Sequence, residues 1–408
     1  MAVRQLARKV SKSKRARASA ATPAQARAHV FAPAHVKKIQ IEEVDPDREV
    51  SYRMPPRRKK ARRGAGVDLG EMGLKLWTVL KDHVVGYMLH VRQNGALVHV
   101  GVWNWAQTPS DAAKGWTEDT RMHLASVSKF LTAVGTVRLL GSKNLSYDTK
   151  IINYLPAHWS KGVNVDKITF RHLFTHTSGF VTGGSSTDYA TMKSKVAAGV
   201  AGVGNYDYEN MNFGLCRLLI ATVSGAVAKS ASYTPSYLND AFWDLNTINA
   251  YRSYMQTKVF APCGVVNAGF EPLVYTPDAL AYPFPFGTTS GWNSGDLKTV
   301  AGGAGWRLSI KELLDVMNHV RRKGTIVSAT KAQYMLDNYF GIDMMTNTAA
   351  GKLYNKNGSW TNNGKTEQCV AFFMPQGMEL ALFVNSPIGL SKLSLRNLVR
   401  DAYLNSLG

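Results

Sequence analysis

The chain has 408 residues, 45% of them hydrophobic, 10% aromatic and 19% charged, with 35 Gly and 15 Pro. That length allows a large core, as one big domain or two packed ones, and the make-up excludes a wholly disordered, collagen-like or coiled-coil chain. The net charge of +21 is uneven: residues 1–66 hold 18 Lys and Arg against 5 Asp and Glu, while the other 342 residues hold 31 against 23. No apolar run reaches the roughly 18 residues that a membrane-crossing helix needs. With only Cys216, Cys263 and Cys369, far apart in sequence, a disulfide framework and a zinc site built on cysteine pairs are both excluded. The odd count suits a reducing compartment.

The head comes first. Met1 to Gln40 contains no acidic residue, and Arg57-Arg58-Lys59-Lys60-Ala61-Arg62-Arg63 forms a second basic cluster. Such a segment cannot bury enough apolar surface to offset the entropy of ordering it, so residues 1–66 read as a largely disordered extension. It lacks the apolar centre of a secretory signal, which points to an intracellular chain, cytoplasmic or organellar. Val3, Leu6 and Val10 among arginines resemble a transit peptide; the clusters also suit nucleic-acid phosphates, another acidic partner or a nuclear address. A solubilising tail is the plain alternative.

From Val67 the pattern becomes ordered. Leu74, Leu76, Trp77, Val79 and Leu80 predict a helix over 74–83. The runs 86–93 and 96–103 predict two strands, and Asn94-Gly95 between them is a strong hairpin signal. Phe130, Leu131, Val134, Val137 and Leu140 predict a helix from about Ser126 to Leu140. The stretch from about 150 to 295 reads as helices with long loops. Ser309 and Glu312 form a capping box before Leu313, Leu314, Val316, Met317 and Val320; that helix ends at Arg321-Arg322-Lys323-Gly324. Residues 369–374 and 379–385 flank Pro375-Gln376-Gly377 as a second hairpin, and Leu395, Leu398, Val399, Ala402 and Leu404 predict a closing helix. Strands at both ends with helices between them predict an α/β (α+β) fold. One antiparallel sheet, built from both termini and flanked by helices, would carry a mostly helical insertion.

Ser126-Val127-Ser128-Lys129 is a Ser-x-x-Lys at a helix start. Positions i and i+3 share a helix face, so the amine can reach the hydroxyl, and the helix N-terminus favours developing negative charge. Serine is a weak nucleophile until a base takes its proton, and lysine serves as that base only if its pKa falls well below about 10. Ser11-x-x-Lys14 and Ser328-x-x-Lys331 match the same pattern, so spacing alone does not single out Ser126. Two further clusters do. Tyr208-Glu209-Asn210 precedes an apolar helical run, and Lys356-Asn357-Gly358-Ser359 precedes an extended one.

With these three in chain order the sequence resembles the penicillin-recognising serine hydrolases: class C β-lactamases, D-alanyl-D-alanine carboxypeptidases and related esterases. Those enzymes carry Ser-x-x-Lys, Tyr-x-Asn and Lys-Thr-Gly. The segments 122–133, 168–180, 302–305 and 370–375 resemble the same family, so the likeness covers roughly residues 70–406. It implies a β-lactamase/transpeptidase-like domain over 67–408. The sheet part would fall at about 67–150 and 300–408, and the helical part at about 151–299.

The resemblance also implies roles. Ser126 attacks an ester, amide or β-lactam carbonyl and forms an acyl-enzyme; Lys129 and Tyr208 relay protons; the backbone N–H groups of Ser126 and Ser359 hold the oxyanion. Asn210 orients Lys129 and the substrate amide. Lys356 and Asn357, with Gly358 beside them, bind a substrate carboxylate if there is one, and no metal or organic cofactor is required. Two departures bear on substrate choice: Asn357 replaces the usual threonine, and Trp360-Thr361-Asn362-Asn363 replaces a glycine-rich run. His172 and His176 have the spacing of a helical zinc pair, but Leu173 stands where a metalloprotease needs glutamate, which favours a structural role. A class A β-lactamase is disfavoured by the lack of Glu-x-x-Leu-Asn and Ser-Asp-Asn. No phosphate-binding glycine loop follows a strand. The alternative to a hydrolase is a non-catalytic structural or assembly protein, even virion-associated, that reuses the fold and binds nucleic acid through its basic head.

Overall fold

The computed structural model describes residues 66–182, 187–390 and 393–408. The readings of the basic head, and the Ser11–Lys14 match within it, lie outside these residues. The first helix, α1 (Leu69–Leu80), begins earlier than its apolar spacing predicts, because the Asp68 carboxylate accepts the Glu71 N–H and caps it. Strands β1 (Gly86–Gln93) and β2 (Ala96–Gln107) form the expected hairpin. Asn94 and Gly95 turn it with φ of 56° and 84°, the left-handed pair that a two-residue hairpin loop requires. The two-residue β3 (Lys114–Gly115) extends the edge beside β2. Strand β4 (Arg121–His123) leaves this sheet and pairs with β5 (Arg307–Ser309).

A single 3-10 turn, Ala125–Val127, precedes α2 (Ser128–Ser142), so the regular helix starts just after Ser126 rather than at it. The middle of the chain is helical, with α3 (Phe170–Phe174), α4 (Tyr189–Ala198), α5 (Asn210–Ser224) and α6 (Asn239–Met255). Helix α7 (Ile310–Asn318) starts on the predicted capping box: Ser309 Oγ accepts the Glu312 N–H, and the Glu312 carboxylate accepts the Ser309 N–H. After α8 (Ala329–Asp337) the chain returns to the sheet as β6 (Met344–Thr348), β7 (Gly351–Asn362), β8 (Lys365–Met374) and β9 (Met378–Val384). Helix α9 (Leu395–Leu404) closes it.

The main sheet runs β3-β2-β1-β9-β8-β7-β6, every neighbouring pair antiparallel. It is a mixed α/β architecture whose strands come from both ends of the chain. Alternation along β8 divides two cores: Val370, Phe372 and Met374 pack with Leu76, Leu80, Leu398 and Tyr403 of α1 and α9. Cys369, Ala371 and Phe373 join Phe130 and Val134 of α2 and the helical middle of the chain. Central β9 is buried along its whole length, as a strand covered on both faces must be. The Lys356-Asn357-Gly358-Ser359 cluster lies within β7, not ahead of a strand. Among the described residues, no helix is long and apolar enough to cross a membrane.

The capping box supplies a test of how α7 is held. Ser309→Ala should cost about 0.5–2 kcal/mol in denaturant-measured stability, with the far-UV helical signal otherwise preserved.

Candidate active site

Ser126 sits in the turn that feeds α2. Ala125 before it holds φ at 43°, a left-handed conformation rare for a residue with a side chain. Such strain persists where neighbours over-determine it, and here they do. The Leu124 N–H donates to the Trp306 carbonyl at 2.8 Å, and the Trp306 N–H donates to Ser128 Oγ at 3.2 Å. Ser128 is buried and already engaged. Ser126 lines a cleft of about 350 Å³.

One turn on, Lys129 is fully buried. Its Nζ lies 3.0 Å from Ser126 Oγ, 2.6 Å from Asn210 Oδ1 and 2.7 Å from the Gly303 carbonyl. Burial, and then repulsion from Lys356, hold its pKa below the ordinary lysine value against the pull of Tyr208. The Gly303 carbonyl is fixed in turn. The neighbouring Gly302 carbonyl accepts from Thr132 Oγ1 on α2, and the Gly305 N–H donates to His123 Nε2. Gly302 has φ 94°, and a Cβ there would lie 2.3 Å from the Phe213 carbonyl of α5. Only glycine lets this segment thread between α2 and α5.

Tyr208 comes from the loop entering α5. Its hydroxyl lies 3.4 Å from Lys356 Nζ. The Lys129 and Lys356 nitrogens both stand 5.0 Å from its ring centroid. Burial raises its pKa, but Lys356 and then Lys129 outweigh that and bring it below the ordinary phenol value. His176 stacks on the Tyr208 ring at 4.3 Å, and its Nδ1 accepts the Glu209 N–H at 3.0 Å. Burial first, then Lys356 and Lys129, push the imidazole pKa down to about 2, so it stacks as a neutral ring.

Lys356, on β7, is buried beneath the cleft. Its Nζ is 2.5 Å from Asp343 Oδ1, and the Asn357 N–H donates to Asp343 Oδ2 at 3.1 Å. Burial lowers the Lys356 pKa, but Tyr208 and Asp343 outweigh it and the net direction is up. The Asn357 side-chain oxygen is buried without a partner, while Ser359, Tyr206 and Arg396 complete the cleft. Gly358 packs under the turn that carries Ser126. A Cβ there would lie 2.3 Å from the Leu124 carbonyl and 2.8 Å from Ser126 N, so its place is explained by close approach of backbones.

Ser126, Lys129, Tyr208, Asn210, Lys356, Asn357, Gly358 and Ser359 therefore meet in one region. The competing pair does not join them: Ser328 is an exposed cap whose hydroxyl accepts the Lys331 N–H at the start of α8. His172 Nδ1 accepts the Thr169 N–H in the capping box of α3. Among the described residues, no group of three or more His, Cys, Asp or Glu is placed to hold a metal ion.

The beta-lactamase family model matches residues 75–403. The chain belongs to the beta-lactamase family. It is 27% identical over 156 residues to PbpX of Bacillus subtilis (strain 168), which carries the name of a penicillin-binding protein. That stretch is 37% of this chain and about a third of the relative's length. Among solved structures, the octameric penicillin-binding protein homologue from Pyrococcus abyssi shares the fold at TM-score 0.60 and 18% identity, over 82% of this chain and 76% of that one. FmtA from Staphylococcus aureus does so at TM-score 0.61 and 15% identity, over 85% and 93%. The D-amino acid amidase from Ochrobactrum anthropi SV3, complexed with L-phenylalanine amide, does so at 0.59 and 17%, over 82% and 99%.

Four contributors to this family member's cleft, Asp343, Gly303, Tyr206 and Arg396, were given no role by sequence reasoning. Asp343 is 13 positions from Lys356 in the chain, but it directly precedes β6, whose first residue Met344 faces Asn355 of β7, and its N–H donates to the Asn355 carbonyl. A hairpin reading of residues 344–362 is the signal that could have found it. Gly303 lies in the 302–305 segment but contributes only a carbonyl; Tyr206 stands two residues before the Tyr-x-Asn motif, and Arg396 arrives on α9 with no motif around it.

Gly358→Ala should destabilise the protein by about 1–3 kcal/mol, because the new methyl group meets the backbone of the 124–126 turn. Unchanged stability would show that β7 does not support the turn.

Proposed function

We propose that this beta-lactamase family member is a serine hydrolase that works through an acyl-enzyme on an ester, amide or lactam carbonyl. The observation that carries the reading is the set of partners around Lys129 Nζ. Asn210 Oδ1 and the Gly303 carbonyl can only accept, so they claim two N–H bonds of the amine. In the neutral amine the remaining tetrahedral position is the lone pair, and Ser126 Oγ lies on that side at 3.0 Å. A depressed lysine pKa makes that neutral form accessible.

In this mechanism Ser126 Oγ bonds to the carbonyl carbon while its proton passes to the Lys129–Tyr208 pair. The carbonyl π electrons move to oxygen, which rests against the Ser126 and Ser359 backbone N–H groups; losing one such donor typically costs about 3–4 kcal/mol of barrier. Collapse expels the alcohol or amine, protonated by the same pair. Water, deprotonated through Tyr208, then repeats the sequence and frees Ser126. The D-amino acid amidase among the fold neighbours makes small amides a sensible first panel beside esters and a cephalosporin.

Ser126→Ala should abolish covalent labelling by a fluorophosphonate probe with the fold intact by circular dichroism. Label persisting on another serine would remove Ser126 as the nucleophile.

The pH profile tests the electrostatics. Attack requires the deprotonated pair, so kcat/KM should rise with pH through its apparent pKa. Lys356 lowers the pKa of both Lys129 and Tyr208. Lys356→Met should therefore let both rise and move the ascending limb to higher pH; an unmoved limb would show that Lys356 does not tune the pair.

A further inference from the structure

We propose that Asp343 fills the anion anchor of the cleft from within, so that the acyl donors this site accepts carry no carboxylate beside the scissile bond. The inference rests on the serine hydrolase reading and narrows its substrate class to uncharged esters and amides.

A carboxylate is best held by two donors, one charged, each taking one oxygen. Beside Ser126 and Ser359 the cleft offers such a pair, the Lys356 ammonium and the Asn357 backbone N–H. Both are taken. Asp343 Oδ1 lies 2.5 Å from Lys356 Nζ, and Oδ2 accepts the Asn357 N–H at 3.1 Å. The Asp343 N–H donates to the Asn355 carbonyl at 2.8 Å, just ahead of the first β6–β7 pair, Met344 with Asn355. Its backbone is therefore tied to β7, and its carboxylate is held by two donors. The side chains of the ion pair are 1% and 13% exposed.

A substrate carboxylate would have to displace Asp343 and leave it unpaired against the cleft wall, or approach it as a like charge. Either route is penalised. A neutral donor meets a Lys356–Asp343 pair whose charges cancel, and it keeps the cation that lowers Tyr208.

The test compares hydrolysis of phenyl acetate with that of 3-acetoxybenzoate, which differs by one carboxylate on the leaving group. Full-length wild-type protein should prefer phenyl acetate by at least about tenfold in kcat/KM. Asp343→Asn keeps the shape and removes the charge, and it should shift that ratio toward the acid by tenfold or more. Equal or better use of the acid by the wild type overturns the proposal without any variant. A folded Asp343→Asn protein with an unchanged ratio overturns it as well. Wild-type preference for the acid that disappears in Arg396→Gln would overturn it and place the anchor on that guanidinium. Fluorophosphonate labelling separates the two levels: no label on Ser126 and no turnover of either ester defeats the hydrolase reading, whereas labelled enzyme with the wrong ratio defeats only the role of Asp343.

Discussion

A lysine amine sealed from water is the constraint around which this molecule is arranged. Removing an ammonium from solvent costs several kcal/mol unless it is paired or gives up its proton. Lys129 is offered no carboxylate at hydrogen-bonding distance. It is offered an amide oxygen from the start of α5, a main-chain carbonyl from the segment before β5, and the Ser126 hydroxyl. Three parts of the chain, more than 170 residues apart at the extremes, thus converge on one nitrogen. Each needs its own support: Thr132, His123 and a glycine at 302 for the carbonyl, and the β7 strand with Gly358 beneath the Ser126 turn. Giving the buried nitrogen hydrogen-bond acceptors without a carboxylate is what these supports achieve together.

Much of this was legible in the sequence, and for identifiable reasons. Ser126, Lys129, Tyr208, Asn210 and Lys356 sit in short ordered motifs whose residue types are uncommon together. Asn94-Gly95 and the Ser309/Glu312 box are local signals set by backbone geometry within four residues, and the hairpin and helix appear where those signals lie. Local signals fail where a contact is made across the fold. The onset of α1 depends on the Asp68 cap outside the apolar pattern, and the placement of Lys356 within β7 depends on strand pairing. Ser328-x-x-Lys331 shows the opposite hazard: the same four-residue pattern there makes only a helix cap, because Ser and Lys at i, i+3 serve a helix start equally well.

Asp343 was the least readable, since an isolated aspartate before a short strand signals nothing until its register is known. Once paired, it alters the reading of Lys356 from a free anion receptor to a neutralised cation. Lys356 still lies 3.4 Å from the Tyr208 hydroxyl, so its influence on the phenol survives the pairing. One ammonium is divided between a partner that holds it in place and a partner that it makes more acidic.

That division links selectivity to basicity. A ligand that drew Lys356 toward its own carboxylate would also draw it from Tyr208, whose lowered pKa depends first on that cation. Substrate charge at this position would therefore weaken the base that must act on the same substrate. An internal carboxylate avoids the conflict: it satisfies the buried ammonium from within the fold and stays in place as substrate enters and product departs. Selection against charged donors then arises from desolvation and repulsion, not from the width of the cleft. Widening the cleft at Tyr206 or Ser359 should leave it intact, whereas a single amide in place of the Asp343 carboxylate removes it.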